Sequence, residues 1–445
     1  MPKSLFFPLK KENLTCLGIY YYFKTGIITF RASREWEEGT NWTRYGRDFT
    51  YEHPLTTHTS YLGHQETLDL FRKHDLAGYL DDIVDLIKNG NHQGIECFFD
   101  KKKDIHFMSN MHSNALGINN GYHAIRSGGI RRHETNEEEL EVIIDGLNLS
   151  RAMSFKNAGA QIPFGGSKIT VQCEPVDLSD YYTIGFLAYA LDRTRSFTGP
   201  DMGFSPGLAD VMKRKGYSVN IAGGFESRIG PTGSPTAYGV FLAIKEAAKV
   251  KFGTTDLSGK SVVVQGLGAV GYSLVEKYLV KEDVDLFVAD ILHDPVKKLV
   301  TQFPDRVKKI DAKDVLTVDA DIFAPCAMGG VLDEEAIREL KYAIVIGAAN
   351  NQLKATNREE EIRLAKILDE RDILFQVDWM HNTGGVIAGM EEYMHREKAS
   401  MENIMTHTEK VCKYGVRENL HAAINEGMTP TERAYQYYSP KIYGL

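Results

Sequence analysis

The chain has 445 residues, 43% of them hydrophobic and 25% charged, which is typical of a soluble globular protein and long enough for two domains. A formal net charge of −8 without a long Lys/Arg-rich run argues against nucleic-acid binding. The apolar runs are too short to cross a bilayer, and five scattered cysteines indicate reduced thiols, so we expect a cytoplasmic protein with no membrane partner.

Residues 1–65 are an aromatic-rich N-terminal extension to which the sequence assigns no chemistry. Residues 26–30 have the composition of a strand. The spacing of His53, His58 and His64 fits no compact ligand motif, so we predict no metal site.

A helical region follows from Thr67, and residues 95–99 and 105–110 predict two strands joined by a charged turn. Acidic residues at 137–139 then open a long amphipathic helix that runs through Met153. After it, residues 217–234 are rich in glycine and predict a hinge.

The stretch from residue 256 to residue 290 predicts a dinucleotide-binding unit. A buried strand at 261–264 leads into Gly266, Gly268 and Gly271 in the spacing G-x-G-x-x-G, then a helix and a second strand that ends at Asp290. The glycines permit a tight turn, approach of a pyrophosphate and close helix packing, and the phosphates would meet the N–H groups at the helix start. A carboxylate at Asp290 can accept hydrogen bonds from the ribose hydroxyls and would repel a 2′-phosphate, which favours NAD over NADP.

Further strand candidates at 322–324, 343–346 and 373–377 alternate with helical segments. This alternation predicts a doubly wound parallel sheet, a Rossmann dinucleotide domain, over residues 229–388. Asn350 and Asn382 each follow a strand of that sheet, where ligands bind beyond the carboxyl ends, so they would face the nicotinamide; each is otherwise simply a turn residue.

Lys156 and Lys168 flank a segment in which Gly165 and Gly166 would permit close approach of a ligand. A lysine shielded from water beside another cation loses its proton more easily, down to roughly pH 7–8. Taken alone, the two lysines are better explained as surface residues near a turn, and Asp201, in the segment TGPDMG, as a turn former.

Together these segments resemble the glutamate/leucine/phenylalanine/valine dehydrogenase family, and its leucine dehydrogenases most closely. The similarity runs from about residue 95 to residue 389, and it is densest in SPTAYGVFLAIKEAAKVKFGTTDLSGKSVVVQGLGAVGY, DIFAPCAMGG, GAANNQL and NTGGVI. The resemblance implies that Lys156 binds the substrate α-carboxylate, that Lys168 is the catalytic lysine and that Asp201 relays protons. It also implies that Asn382 holds substrate near the nicotinamide and that Thr236 contacts the cofactor.

The predicted site therefore comprises three groups of residues. The catalytic residues are Lys168 and Asp201, and the substrate-binding residues are Lys156, Gly129, Met153 and Asn382. The cofactor-binding residues are Gly266, Gly268, Ala269, Val270, Gly271, Asp290, Thr236, Ala327, Ala348 and Asn350.

The chain departs from the family pattern in the loop RSGGIRRH. Glutamate dehydrogenases have a lysine immediately before the Gly-Gly pair, which grips the substrate's side-chain carboxylate; here Ser127 takes that place, which argues against glutamate unless Arg126 substitutes. The leucine enzymes also have a shorter loop at positions 117–127 and lack a counterpart of the N-terminal extension.

We therefore expect two α/β domains with a cleft between them: a substrate-binding and oligomerisation domain at 66–228 and the NAD-binding domain at 229–388. Residues 389–445 would form helices that pack back on the first domain. The expected reaction is reversible, NAD-dependent oxidative deamination of an apolar L-amino acid to its 2-oxo acid and ammonium, by a homo-oligomer (a dimer or higher). The alternatives are an aromatic or unusual amino acid dehydrogenase and, in another class, a catalytically silent NAD-binding regulatory subunit.

Overall fold

The computed structural model describes residues 3–58, 60–114, 123–230, 232–355 and 357–444. It contains two α/β units, each built around one sheet, and helices from the C-terminal part of the chain contact both. This arrangement confirms the predicted fold class.

The first unit is organised around a mixed sheet of nine strands in the described residues, in the order β3-β2-β1-β4-β5-β8-β6-β9, with β7 also paired to β8. The pairs from β3 to β8 are antiparallel, whereas β6 and β7 run parallel to β8. The strands are β1 Cys16–Tyr22, β2 Ile27–Arg34, β3 Ser60–Leu62, β4 Gly94–Asp100, β5 Ile105–Met111, β6 Arg126–Ser127, β7 Ile130–His133, β8 Gly165–Gln172 and β9 Ser196–Phe197.

Helices cover both faces of this sheet. They are α1 Phe6–Glu12, α2 His64–Lys73, α3 Ala77–Asn89, α4 Glu139–Gly159, α5 Tyr181–Arg193 and α6 Pro206–Arg214. The N-terminal extension contributes to the hydrophobic cores on both faces: Leu5 and Leu9 pack with α3 and α4, and Trp36 and Trp42 pack with α5. The described residues of the extension, 3–58 and 60–65, are therefore integrated into the first unit's sheet and core.

The second unit is a fully parallel six-stranded sheet in the order β12-β11-β10-β13-β14-β15. Counted within the unit, this order is 3-2-1-4-5-6, the Rossmann arrangement for dinucleotide binding. Its strands are β10 Ser261–Gln265, β11 Asp285–Ala289, β12 Val307–Lys309, β13 Ile322–Pro325, β14 Ile344–Val345 and β15 Leu374–Phe375. The interleaved helices are α7 Gly233–Phe252, α8 Ala269–Lys277, α9 His293–Gln302, α10 Glu334–Glu339 and α11 Arg358–Glu370.

The last helices join the two units. They are α12 Gly384–His395, α13 Met401–Glu409, α14 Val416–Glu426 and α15 Pro430–Tyr443, with one π-helical turn at Lys410–Gly415. Tyr435 on α15 packs on Phe155 of α4 and donates a hydrogen bond to Glu361 of α11. The C-terminal helices therefore contact the second unit as well as the first. No helix in the described ranges has the length and apolar character that a membrane span requires.

Most predicted elements are confirmed, but the segment around Lys168 differs from the prediction. Gly165 and Gly166 begin strand β8 instead of lining a ligand loop. A Cβ on Gly165 would lie 2.0 Å from the carbonyl oxygen of Ser113, and one on Gly166 would lie 2.3 Å from the amide nitrogen of Ser154. These glycines therefore allow β8 to pack against the protein's own backbone.

Candidate active site

The side chains of Lys168 and Asp201 form an ion pair at β8, an interior strand of the first sheet. Lys168 lies on β8 and is 4% exposed, and its Nζ contacts Oδ2 of Asp201. Burial lowers the pKa of Lys168 below its usual value, although the Asp201 carboxylate opposes this effect. Burial raises the pKa of Asp201, but Lys168 and then Arg131 outweigh it, so the net pKa is lowered and the carboxylate is ionised at neutral pH.

Gly129 lies directly over this pair. A Cβ at this position would come within 3.0 Å of Nζ of Lys168 and 3.2 Å of the Asp201 side chain. Any larger residue at this position would therefore press on the ion pair.

Lys156, on α4, faces the second unit across the cleft. Its Nζ donates to Oδ1 of Asn350 at 3.3 Å, and Nδ2 of Asn382 donates to the same oxygen at 3.0 Å. Burial lowers the pKa of Lys156 to about 8, against the opposing field of Asp378. Met153 lies one turn earlier on α4 and is half-buried.

Asp378 supports this side of the cleft. Asn382 donates from Nδ2 to Oδ2 of Asp378 at 3.2 Å and to the carbonyl oxygen of Ala348 at 3.2 Å. Burial raises the pKa of Asp378 to about 6, although Lys156 opposes the shift. The nearby His381 has its pKa lowered to about 4 by burial, so it is neutral at physiological pH.

The glycine turn between β10 and α8 has the shape that a dinucleotide requires. Gly266 has φ of +89°, and a Cβ there would lie 2.6 Å from the amide nitrogen of Ala327. A Cβ on Gly271 would lie 1.9 Å from the carbonyl oxygen of Gly266, whereas a Cβ on Gly268 would meet no described atom within 4 Å. The open approach at Gly268 leads to the start of α8, where Ala269 is exposed and Val270 is half-exposed. This geometry fits a pyrophosphate bound at the helix N-terminus.

Asp290 lies beside this turn, whereas Thr236 lies against Gly385, at the start of α12. Oδ2 of Asp290 accepts from the amide of Leu267 at 2.5 Å, and Oδ1 accepts from the amide of Leu292 at 2.8 Å. Thr236, at the start of α7, donates its hydroxyl to the carbonyl of Thr232 at 3.0 Å. Asp290 is therefore held next to the glycine turn by backbone amides.

Arg126 does not take the place of the cation that Ser127 lacks. Oγ of Ser127 accepts from Nδ2 of Asn157 on α4 at 2.8 Å. The Arg126 guanidinium instead donates to the carbonyl oxygen of Thr194 at 3.0 Å, at the end of α5. Neighbouring residues of a strand point to opposite faces, so the two side chains lie on different sides of β6. Of the loop at 117–127, residues 117–122 lie outside the described residues.

The described part of the predicted hinge is held by two carboxylates. Asp210 accepts from the amide of Phe225 at 2.9 Å, and Glu392 accepts from the amide of Gly223 at 3.0 Å. The segment therefore connects the units through defined hydrogen bonds to α6 and α12. Residue 231 lies outside the described residues.

Comparisons with known proteins identify the family of the chain. Residues 223–438 match the family model for Glutamate/Leucine/Phenylalanine/Valine dehydrogenase, and residues 105–209 match the model for the Glu/Leu/Phe/Val dehydrogenase dimerisation domain. The chain is 34% identical to leucine dehydrogenase of Geobacillus stearothermophilus over 69% of its own length and 82% of the relative's. The chain belongs to this family.

Other members are similar over longer stretches. Phenylalanine dehydrogenase of Lysinibacillus sphaericus is 32% identical over 80% of this chain and 90% of its own. The crystal structure of L-tryptophan dehydrogenase from Nostoc punctiforme superposes with a TM-score of 0.67 at 26% identity, over 81% of this chain and 98% of that one. The family assignment makes this chain an amino acid dehydrogenase.

Several groups of the dehydrogenase site escaped the sequence interpretation. Asp378 stands four positions before Asn382. Its carboxyl accepts a hydrogen bond from Asn382, and its charge raises the pKa of Lys156. Arg131 and Asp145 flank the Lys168–Asp201 pair from β7 and α4. The loop RSGGIRRH drew attention to arginines, but no local pattern indicated which one faces the cleft.

Proposed function

We propose that this chain catalyses the NAD-dependent, reversible oxidative deamination of an apolar L-amino acid to its 2-oxo acid and ammonium. The observation that supports it is the buried Lys168–Asp201 pair, which lies beneath Gly129 and whose two charges act on Lys156. A lysine with a lowered pKa beside an ionised carboxylate can take a proton from water and return it.

Each polar group has a part in this reaction. The Lys156 ammonium would bind the α-carboxylate and so fix the direction of the Cα–H bond, and such positioning supplies a major part of enzymatic rate. Unprotonated Lys168 would remove a proton from the water that attacks the substrate imine, and its protonated form would stabilise the developing oxyanion. Asp201 would carry protons to and from the substrate nitrogen.

NAD would be held by the glycine turn, by Asp290 and by Thr236. When bound, its nicotinamide supplies the acceptor for the hydride that leaves Cα. The two oxygens of Asp290, fixed by backbone amides, would also accept from the adenosine ribose hydroxyls and disfavour the 2′-phosphate of NADP. Asn350 and Asn382 would lie on the nicotinamide side.

The substrate side chain is proposed to be apolar. At the position where glutamate dehydrogenases have a lysine, Ser127 is hydrogen-bonded to Asn157, and Arg126 is directed elsewhere. A glutamate side chain would then lose its hydration without gaining a cation, which is costly. Similarity to phenylalanine and tryptophan dehydrogenases favours an aromatic substrate as the second candidate.

We also infer a cytoplasmic homo-oligomer. The match to a dimerisation-domain model supports association of at least two copies. All five cysteines lie in described residues and are free thiols, as expected for a reducing compartment. Light scattering coupled to size-exclusion chromatography measures the number of copies directly.

The test is NADH formation by the purified protein with a panel of L-amino acids, each supplied with NAD and, separately, with NADP. We expect turnover with leucine, valine, isoleucine or an aromatic amino acid, faster with NAD, and little with glutamate. The Lys168→Ala variant, purified identically, controls for a contaminating dehydrogenase. Binding of NADH without oxidation of any amino acid would instead identify a catalytically silent subunit.

A further inference from the structure

Arg131 is a second cation on the carboxylate of Asp201. Its Nη2 lies 3.6 Å from Oδ2 of Asp201, the same oxygen that Lys168 contacts, while Oδ1 accepts from the amide of Met202 at 2.8 Å. On its other side, Nη1 of Arg131 donates to both oxygens of Asp145, at 3.1 and 3.0 Å. The guanidinium is therefore clamped between a carboxylate of α4 and the carboxylate of the site.

The backbone keeps this clamp in register. The amide of Ile130 donates to the carbonyl of Gly199 at 2.9 Å, and the amide of Arg132 donates to the carbonyl of Met202 at 2.9 Å. The segment that carries Asp201 is thus attached to β7 on both sides of Arg131. With a side chain only 18% exposed, the guanidinium is held by backbone and side-chain contacts together.

The two cations that face Asp201, Lys168 and Arg131, differ in how readily they lose a proton. Lysine releases its proton when burial and neighbouring charge favour it, whereas an arginine side chain keeps its charge under all physiological conditions. In the proposed deamination, Lys168 is neutral when it activates water. At that stage Arg131 is the cation that still faces Asp201 from β7.

We propose that Arg131 is a positioning residue, which, anchored by Asp145, holds the Asp201 carboxylate ionised and directed at Lys168 while Lys168 itself loses its proton. The inference rests on the proposed function and deepens it. Arg131 does not contact the reacting atoms in this role and acts through Asp201 and Lys168.

The charges around Lys168 determine what a substitution does. Three elements present them: β7 carries Arg131, α4 carries Asp145 and Lys156, and the loop after β9 carries Asp201. Burial is the largest influence on the pKa of Lys168, Asp201 raises it, Arg131 lowers it and Asp145 raises it. Removing Arg131 should therefore raise this pKa, and removing the charge of Asp145 should lower it.

The first experiment compares pH profiles of kcat/KM for oxidative deamination in the wild type, Arg131→Gln and Arg131→Lys. The profile rises with pH as Lys168 becomes unprotonated. In Arg131→Gln this rise should move to higher pH by about one unit, so that the rate on the acid side falls about tenfold. Arg131→Lys keeps a cation and should restore most of the wild-type profile.

Arg132→Gln is the matched control. Arg132 is the next residue of β7 and points to the other face, where it contacts Glu134 and donates to the carbonyl of Cys173 at 2.9 Å. The variant removes the same charge from the same strand, and its profile should not move. Equal profiles for Arg131→Gln, Arg132→Gln and wild type would overturn the proposal.

Asp145→Asn should shift the pH profile in the opposite direction. It keeps an oxygen for Arg131 but removes an anion near Lys168, so the profile should move to lower pH. If each substitution merely disordered the site, the pH profiles of both variants would shift in the same direction. That result would also overturn the proposal.

A readout that needs no turnover separates this inference from the proposed function. In protein labelled with ¹³C at lysine Cε, the Lys168 signal, assigned by its loss in Lys168→Arg, reports its titration by NMR. We expect the pKa of Lys168 to be higher than in the wild type in Arg131→Gln and lower in Asp145→Asn. If wild-type protein oxidises no amino acid, the proposed function fails while the titration still decides the role of Arg131; unchanged titration in an active enzyme refutes only the role of Arg131.

Discussion

The ammonium of Lys156 and the side-chain oxygen of Asn350 lie 3.3 Å apart, across the boundary between the two α/β units. The same oxygen accepts from Asn382, so one amide links α4 of the first unit to two loops of the second. A carboxylate is a stronger partner for an ammonium than an amide oxygen. If Lys156 binds the substrate as proposed, the α-carboxylate of the amino acid would displace Asn350 from Lys156.

Lys156 should make substrate affinity depend on pH. Its pKa is lowered to about 8, chiefly by burial, so the side chain is charged below that pH and neutral above it. Only the charged form attracts a carboxylate, and KM for the amino acid should rise about tenfold per pH unit above about pH 8. Initial rates at saturating NAD between pH 6.5 and 10 measure this dependence.

Lys156→Arg is the control for that measurement. Arginine stays charged throughout this range, so the rise of KM that comes from Lys156 should disappear in the variant. If KM of the wild type and of Lys156→Arg changed identically with pH, Lys156 would not be the carboxylate ligand. Lys156→Ala should raise KM chiefly below about pH 8, where the wild-type side chain is charged, and the difference should shrink at higher pH.

Lys168→Ala should reduce kcat by about 100-fold or more, the usual size of a general-base effect. The variant removes the base and also leaves the Asp201 carboxylate with Arg131 as its remaining cation from β7. Stopped-flow and steady-state measurements of NADH formation check this value. Lys101→Ala, on the exposed hairpin between β4 and β5, serves as a control for loss of a lysine. Turnover near the wild-type rate in Lys168→Ala would remove Lys168 from the mechanism.

Asp290→Ser should weaken discrimination against NADP. Without the carboxylate, the repulsion of a 2′-phosphate disappears, and the ratio of kcat/KM for NADP to that for NAD should rise about tenfold or more. Asp285→Ser, at the exposed start of the same strand, removes an equal charge far from the glycine turn and should leave the ratio unchanged. A constant ratio in Asp290→Ser would contradict the assignment of Asp290 to the ribose.

Trp42→Ala should destabilise the first unit strongly. The indole is fully buried, packs with its ring centroid 4.9 Å from that of Tyr189 and donates from Nε1 to Asp100 at 3.1 Å. Truncating a buried tryptophan costs about 3–5 kcal/mol. Chemical denaturation followed by circular dichroism measures the change. Tyr61→Ala, on a side chain that is 64% exposed, should change stability by no more than about 0.5 kcal/mol. Equal stability of the two variants would show that the extension contributes little to the core.

The Rossmann unit was predictable because its signals are local. The strand before Gly266, the three glycines and Asp290 all lie between positions 261 and 290, and the structure requires glycine at Gly266 and Gly271. The alternation of later strands and helices then restricts the sheet order, because parallel strands need crossover connections.

The first unit was less predictable because its contacts join distant segments. Strand β1 pairs with β4 across the whole of β2, β3, α2 and α3, and no local pattern indicates that pairing. Strand β8 is buried along its whole length, so it lacks the alternation of a half-exposed strand, and its initial glycines read as a loop. The partners of Lys168 come from three further segments, which explains why Arg131 and Asp145 were not foreseen.

The pairing of β1 with β4 covers a strand edge to which another copy of the chain could otherwise attach. Positions 16–20 of β1 occupy the outward backbone groups of positions 94–98, so β4 cannot serve as a template for a neighbour's strand. Among the described residues, the sheet ends instead in two short strands, β3 and β9. If copies of the chain associate as proposed, β4 would not form a continuous sheet across the subunits. Deleting the chain as far as the end of β3 would expose the edge of β4 and the apolar residues that the extension covers, and the truncated protein should aggregate.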